Sequence, residues 1–291
     1  METNYEGIWV PIITPFSNGQ VDHPALAKLA SHLAAGGVAG LVVGATTGEG
    51  ALLLPGEQEA IFATLRQAVP QLPLLLGVSH ASTQLAAEQA RRLSALAPEG
   101  FLVTPPVYVR PSQEGVRRHF EVIVEAADRP LLIYNIPYRC GVTVEVETIA
   151  ALARDPRIVG IKECGGSIER LARLIQETPL RVFSGEDHLN FPALCLGGHG
   201  TIAASAHLRP ELHVRMFECC RQGRLAEARD LAAALRALVH DLFAEPNPAP
   251  LKSILASQGW CANELRLPFV PASADLAERL LQHWAQLPQD D

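Results

Sequence analysis

The feature that most constrains the fold is an alternation of short apolar runs and helical patterns, repeated eight times. Each run has strand character, and successive runs begin roughly 20–33 residues apart, which is the length of a βα unit. Eight such units predict parallel strands closed into an α/β fold of the TIM type, a (β/α)₈ barrel. The predicted strands span residues 8–14, 40–44, 73–78, 100–104, 131–135, 158–162, 181–184 and 200–203.

Helix signals support this division. Asp22, with Pro24 in the first turn, caps a helix that ends at two glycines, and Ser167 caps another. After about residue 223 a long helical pattern appears with no strand before it, and the prolines of the segment 245–250 interrupt the chain. Two more helical patterns follow. The sequence therefore predicts a catalytic barrel in residues 1–223 and a C-terminal helical region in residues 224–291.

Charge and composition exclude several classes of function. The net charge is −7, and no cluster of basic residues offers a nucleic-acid surface. Six cysteines without a CxxC pair and ten histidines without ligand spacing predict no metal site. The N-terminal residues lack the apolar region of a signal peptide, and no run approaches the ~18 apolar residues of a membrane span. We expect a cytoplasmic protein without nucleic-acid or membrane partners.

Lys162 stands at the end of the sixth predicted strand, three residues before the break at Gly165-Gly166. Only two other lysines occur, Lys28 and Lys252, and both lie in helical patterns. Burial disfavours a charged amine, and a neutral amine attacks carbonyl groups to form a Schiff base. Taken alone, such a residue is more often a solvated lysine at the mouth of a strand.

Further polar residues follow the predicted strands at the end where a barrel carries its active site. They are Thr46, Thr47, Tyr108, Tyr134 and Arg139. Each has an ordinary explanation when taken singly: two turn residues, a subunit contact, a core aromatic and a surface cation. The glycine-rich turn 44–50 also lacks the lysine of a phosphate-binding loop. Their joint placement with Lys162 favours an aldolase site, which needs an amine, a hydroxyl relay and donors for a carboxylate.

Six segments carry a family resemblance: TTGE at 46–49, RPSQEG at 110–115, YNIPYR at 134–139, GIKE at 160–163, SGED at 184–187 and EPNP at 245–248. They resemble the dihydrodipicolinate synthase/N-acetylneuraminate lyase family of class I pyruvate aldolases, over nearly the whole chain. The resemblance implies an imine between Lys162 and pyruvate. It also implies proton transfer by Tyr134, with Thr46 and Tyr108 completing a hydroxyl relay.

In this family the counterpart of Tyr108 reaches a neighbouring subunit, which implies at least a dimer, and we expect a homotetramer built as a dimer of dimers. The resemblance implies that Thr47 binds the pyruvate carboxylate and that the Ile202 carbonyl lies beside the imine. Arg139, near the backbone of Gly185, would face the carboxylate of L-aspartate 4-semialdehyde. The product would be 4-hydroxy-tetrahydrodipicolinate, for lysine and diaminopimelate biosynthesis, and no metal or organic cofactor is implied.

Arg139 favours this synthase branch over the sialic-acid lyases, which carry an apolar residue there. The chain departs from the synthase pattern at Ala45, Tyr138, Cys140 and Glu186 and in the pair Pro105-Pro106, and Tyr138 is large enough to reshape the pocket. One alternative is a paralogous aldolase or lyase acting on a hydroxylated 2-oxo acid. Another is a catalytically weak binding homologue.

The resemblance also bears on feedback inhibition by L-lysine. Inhibited members of the family bind lysine with polar residues at a dimer interface. The corresponding residues here are Gly50, Pro55, Gln58, Ala81, Leu85 and Val107. Leu85 and Val107 offer neither an acceptor for an ammonium group nor a phenol hydroxyl, so we expect insensitivity to lysine.

Overall fold

Eight parallel strands form a closed barrel in the computed structural model, which describes residues 3–288. The barrel confirms the fold class predicted from the alternation. Its order is that of the sequence, with the last strand pairing with the first. The barrel strands are β1 Gly7–Val10, β4 Gly40–Val43, β5 Leu74–Val78, β6 Gly100–Val103, β7 Leu131–Asn135, β8 Ile158–Glu163, β9 Arg181–Ser184 and β10 Gly200–Ile202.

Helices surround the barrel and continue beyond it. The α-helices are α1 His23–Ala35, α2 Glu57–Ala68, α3 Thr83–Ser94, α4 Gln113–Ala126, α5 Pro137–Cys140, α6 Val146–Leu152, α7 Ile168–Glu177, α8 Asn190–Cys195, α9 Pro210–Arg221, α10 Leu225–Leu242, α11 Ala249–Ser257 and α12 Ala274–Ala285. Short 3₁₀ turns lie at Gly50–Leu52, Asp187–Leu189 and Ser205–His207. The predicted caps form: Asp22 Oδ1 accepts from the backbone N–H of Ala25, and Ser167 Oγ accepts from that of Arg170. In residues 3–288, no helix has the length and apolar character needed to cross a membrane.

Two apolar cores hold the barrel, one inside it and one between the strands and the helices. Alternate residues of each strand face each side, because successive side chains of a strand point in opposite directions. Trp9, fully buried, fills the interior beside Gly40, where a Cβ atom would lie 2.3 Å from its ring. Leu132 and Phe183 belong to the same inner core. The interior is therefore packed, and a ligand can reach only the end of the barrel.

One predicted strand boundary is wrong. The first strand ends at Val10 rather than at residue 14, because Pro11 has no N–H to donate to a ladder. A small antiparallel hairpin, β2 Phe16–Ser17 with β3 Gln20–Val21, follows instead. Its turn residues Asn18 and Gly19 both have positive φ, 51° and 78°, as a two-residue hairpin turn requires. Asn-Gly is itself a hairpin signal, and the sequence interpretation overlooked it.

The C-terminal segment contributes to the barrel's ligand-binding end. The long predicted helix is α10, and it packs on α9 and α12. The proline-rich segment interrupts the helices, as predicted, and α11 begins within it, at Ala249. Pro250 lies in its first turn, where a missing N–H costs no helical hydrogen bond. The loop 243–247 between the two helices lines the main cavity described below. The division into 1–223 and 224–291 stays a prediction.

Candidate active site

Tyr134 and Lys162 lie side by side because β7 and β8 pair in parallel with these two residues in register. Both face the barrel axis, and Lys162 is only 4% exposed. The Lys162 ammonium nitrogen, Nζ, lies 3.4 Å from the Tyr134 hydroxyl, which lies 3.4 Å from Thr46 Oγ1. Three groups able to move protons thus form a continuous chain from the amine outward.

This chain opens into a cavity of about 460 Å³ at the C-terminal ends of the strands. Seven of the eight site residues predicted from the sequence line it: Thr46, Thr47, Tyr134, Arg139, Lys162, Gly185 and Ile202. The loop Glu186–His188, Tyr138 and the loop 243–247 complete its wall. The fold therefore gathers residues from five strand ends and from the C-terminal segment around one amine.

Tyr108 is the predicted site residue that the chain does not bring to this cavity. It is 89% exposed, and its backbone has a left-handed φ of 73° that is strained for a bulky side chain. Its N–H donates to the Cys140 carbonyl, which holds the loop in this conformation. The tyrosine therefore projects away from its own chain's cavity.

Gly185 is a glycine because the Lys162 side chain passes directly over it. A Cβ atom at this position would lie 2.6 Å from Lys162 Cε and 2.3 Å from Cys164 Sγ. Both distances are shorter than any side-chain contact, so alanine here would displace the amine. The glycine thus fixes the direction in which Lys162 enters the cavity.

Glu163, the residue after Lys162, anchors the end of β8. Its carboxylate accepts from Asn135 Nδ2 at 2.8 Å, from the Gly165 N–H at 2.6 Å and from Arg170 Nε at 3.0 Å. Burial raises the pKa of this carboxyl, and Arg170 opposes the rise. The buried network joins β7, β8 and α7, so it orients Lys162 without touching the cavity.

Asn247 is a site residue that the sequence interpretation missed. Its side-chain amide donates to Thr47 Oγ1 at 2.9 Å, and its carbonyl accepts from Arg139 Nη2 at 3.3 Å. It therefore joins the two residues predicted to hold the two substrates. The sequence singles out the EPNP segment only through the family resemblance. The Asn247–Thr47 contact spans 200 residues, so no local pattern marks Asn247 as a site residue.

The turn that carries Thr46 and Thr47 is held from beneath by a buried ion pair. Glu49, in a left-handed conformation, contacts Lys252 Nζ and accepts from the Arg266 N–H at 2.9 Å. Lys252 also donates to the Glu264 carbonyl at 2.9 Å. The C-terminal segment thus supports this turn at two places. Asn247 bonds to Thr47, and Lys252 and Arg266 hold Glu49.

Burial controls the protonation of the cavity's acids. It raises the pKa of the Tyr134 phenol well above its usual value, so the hydroxyl carries its proton at neutral pH. Burial, reinforced by the neighbouring Asp187, raises the pKa of Glu186 to about 7. The site therefore offers an amine, a protonated phenol, two hydroxyls, a guanidinium and a carboxyl that titrates near neutrality. That set suits imine chemistry on a carboxylate-bearing carbonyl compound.

Comparison with known proteins finds relatives that match almost the whole chain. The dihydrodipicolinate synthetase family matches residues 4–286. The 4-hydroxy-tetrahydrodipicolinate synthase of Thermotoga neapolitana is 36% identical over 286 residues, covering 95% of this chain and 96% of that one. The dihydrodipicolinate synthase structure from Thermotoga maritima superimposes with a TM-score of 0.95 at 34% identity, covering 98% and 100% of the two chains.

A pyruvate complex of the chloride-inhibited Acinetobacter baumannii dihydrodipicolinate synthase gives a TM-score of 0.94 at 30% identity, covering 97% and 98% of the two chains. Family match, identity and superposition all extend over almost the whole chain. The chain therefore belongs to the dihydrodipicolinate synthetase family and is an enzyme of the lyase type.

Proposed function

We propose that the enzyme condenses pyruvate with L-aspartate 4-semialdehyde through an imine on Lys162, giving 4-hydroxy-tetrahydrodipicolinate. The observation that carries the proposal is the buried chain of Lys162, Tyr134 and Thr46 at the end of the barrel. Support also comes from the relative of that name in Thermotoga neapolitana and from the pyruvate complex of the Acinetobacter baumannii enzyme.

In the first half of the reaction, the Lys162 amine attacks the keto carbon of pyruvate and water leaves. Tyr134 donates the proton that the departing oxygen needs, because burial keeps its phenol protonated. Thr47, oriented by Asn247, holds the pyruvate carboxylate. Ile202 lines the same cavity, and in this proposal its carbonyl faces the imine carbon. The Tyr134 oxygen, which has given up its proton, then takes one from the methyl group of the imine, and the C–H electron pair forms the double bond of an enamine.

In the second half, the enamine carbon attacks the aldehyde of the second substrate. Arg139, at the cavity wall, pairs with the carboxylate of that substrate, for which a planar guanidinium is well suited. The substrate's amine then attacks the imine carbon, closes the ring and releases Lys162. The imine itself is the electron sink, so this chemistry requires no metal or organic cofactor.

Tyr108 belongs in this proposal only if a second copy of the chain is present. Large apolar side chains are exposed in the loops after β4 and β6 and in the first turn of α3, which follows β5: Leu54, Leu85, Tyr108 and Val109. We propose that this surface binds a second copy, that Tyr108 reaches the partner's cavity, and that two such pairs form a tetramer. Sedimentation velocity would give the mass, and Tyr108→Phe would lower turnover without dissociating the assembly. A monomer with full activity would contradict this.

A steady-state assay tests the substrates. Pyruvate with L-aspartate 4-semialdehyde should turn over efficiently, whereas cleavage of N-acetylneuraminate and of simpler hydroxylated 2-oxo acids should be slower by orders of magnitude. Faster cleavage of a hydroxylated 2-oxo acid would identify the enzyme as a paralogous lyase. A chain that forms no pyruvate adduct at all would be a binding homologue.

A further inference from the structure

Glu186 lies on the cavity wall and has no role in imine formation or in holding either substrate carboxylate. Its Oε1 atom is buried and has no hydrogen-bond partner among residues 3–288. Its Oε2 atom lies 3.8 Å from Nδ1 of His188, a longer distance than a hydrogen bond. The carboxylate of Glu163, by contrast, is occupied by three donor residues. Apart from the Tyr138 hydroxyl, which bonds to the Glu186 carboxyl, no donor side chain in the described part of the chain occupies it. The cavity wall therefore keeps acceptor capacity for a ligand that brings a donor.

The surroundings of Glu186 make it a titrating group. The charged and titratable groups around it are Lys162 and Glu163 of β8, Cys164 directly after that strand, Tyr138 and Arg139 of α5, Asp187 and His188 of its own loop, and Glu245 after α10. Burial and then Asp187 raise its pKa to about 7, while Lys162 and the Tyr138 hydroxyl oppose the rise. Its carboxylate form is therefore a minor species below that pH and increases as the pH rises through it.

Arg139 and Glu186 place opposite charges on the wall of one cavity. A ligand that carries both a carboxylate and an ammonium group satisfies both residues, whereas a hydroxylated sugar acid supplies only the carboxylate. A carboxylate whose pKa is raised to about 7 is a stronger base than an ordinary carboxylate, so Glu186 accepts a proton from an ammonium group at a smaller cost than a free carboxylate would. Ring closure needs such a transfer, because an ammonium nitrogen has no lone pair with which to attack.

We infer that Glu186 receives the ammonium group of the second substrate and accepts its proton before ring closure, a role that rests on the proposed function. The N–H bond breaks, the proton moves to the Glu186 carboxylate, and the freed lone pair attacks the imine carbon. That nitrogen forms two bonds to the carbon, while both bonds from the carbon to Lys162 Nζ break with their electrons going to Nζ. The two remaining amine protons pass to Nζ, and Glu186 returns its proton to solvent.

Glu186→Gln tests the inference, because it keeps the shape of the side chain and removes the charge. We expect kcat/KM for L-aspartate 4-semialdehyde to fall about 10- to 100-fold, as for a lost charged hydrogen bond. Succinate semialdehyde has the aldehyde and the carboxylate but no amine, so its inhibition constant should change less than about twofold. The wild-type rate should rise with pH through a midpoint near 7, which forms the acidic limb of the pH–rate profile. The Glu186→Gln variant should lack this acidic limb.

Two further variants serve as controls. Glu218→Gln changes an exposed glutamate on α9, outside the cavity, and should keep the wild-type rate and pH profile. Glu186→Asp keeps a carboxylate, so it should retain the acidic limb and lose less kcat/KM than Glu186→Gln. This variant tests the inference by itself if Glu186→Gln does not fold. Equal losses for the amine-bearing and the amine-free aldehyde, or an unchanged acidic limb in Glu186→Gln, would overturn the inference alone. A wild-type enzyme that forms the pyruvate imine but does not use aspartate semialdehyde would overturn the proposed function with it.

Discussion

Two buried lysines in this enzyme differ in what surrounds the amine. Lys252 is fully buried, and its Nζ contacts the Glu49 carboxylate, donates to the Glu264 carbonyl and lies 4.4 Å from the centre of the Phe16 ring. Lys162 is nearly as buried, but among the described residues its one hydrogen-bond partner is the neutral hydroxyl of Tyr134. One amine is saturated with acceptors, and the other faces an open cavity.

The difference shows which lysine can react. A paired, desolvated ammonium group is a structural element, and removing either partner leaves an uncompensated buried charge. An amine with one neutral partner and an adjacent cavity is accessible to a carbonyl compound. Burial alone therefore does not identify the nucleophilic lysine. The number of hydrogen-bond acceptors around each amine distinguishes the two.

The largest effect should come from exchanging each lysine for methionine. Lys162→Met should lower kcat/KM by at least about 10⁴-fold, since the nucleophile is lost, with an unfolding free energy equal to the wild type or higher. Turnover measurements and denaturant melts of the same preparations would check this. A Lys162→Met enzyme with substantial activity would remove the basis of the comparison.

Lys252→Met should show the opposite behaviour. Leaving Glu49 buried without its partner should lower the unfolding free energy by about 3–5 kcal/mol. The double variant with Glu49→Gln should recover part of this loss, because it removes the orphaned charge. Denaturant melts of the four proteins form a double-mutant cycle, and a coupling energy near zero would contradict the structural role assigned to the pair.

A smaller effect on turnover is expected from substitution of Tyr134, the hydrogen-bond partner of Lys162. Tyr134→Phe keeps the ring and removes the hydroxyl, so turnover should fall about 10²-fold, within the range for a general acid–base catalyst. Stopped-flow measurements should locate the loss in imine formation. Tyr5→Phe, a loss of hydroxyl at the opposite end of the barrel, is the matched control and should leave turnover unchanged.

Asn247 tests the contribution of the C-terminal segment. Asn247→Ala removes the hydrogen bond to Thr47, worth about 0.5–1.5 kcal/mol, and should raise KM for pyruvate about 2- to 10-fold. Initial rates at varied pyruvate would measure it. An unchanged KM together with an unchanged kcat would mean that Thr47 needs no support from this segment.

The smallest effect concerns free L-lysine as an inhibitor, whose ammonium group needs acceptors as that of Lys252 does. Leu85 and Val107 supply none, and the Gln58 amide is already occupied by the Gly77 carbonyl and by Gln89. We expect millimolar lysine to leave the initial rate unchanged, with L-alanine as the control solute. Substantial inhibition would refute this prediction.

The barrel was predictable from the sequence because buried parallel strands are short apolar runs, and seven of the eight predicted strands lie within one residue of those observed. Lys162, Tyr134 and Thr46 were predictable because strand ends converge in this fold. The Lys252–Glu49 pair and the Asn247–Thr47 bond were not predictable. Each joins residues about 200 positions apart, and helical periodicity marked Lys252 only as a helix residue.

The comparison between the two lysines is tested most directly by trapping the imine. Borohydride reduction in the presence of pyruvate, followed by peptide mass mapping, should place a single adduct on Lys162. Lys252, and the exposed Lys28, should remain unmodified, and Lys162→Met should yield no adduct. Label on Lys28 or Lys252, or no label at all, would contradict the account.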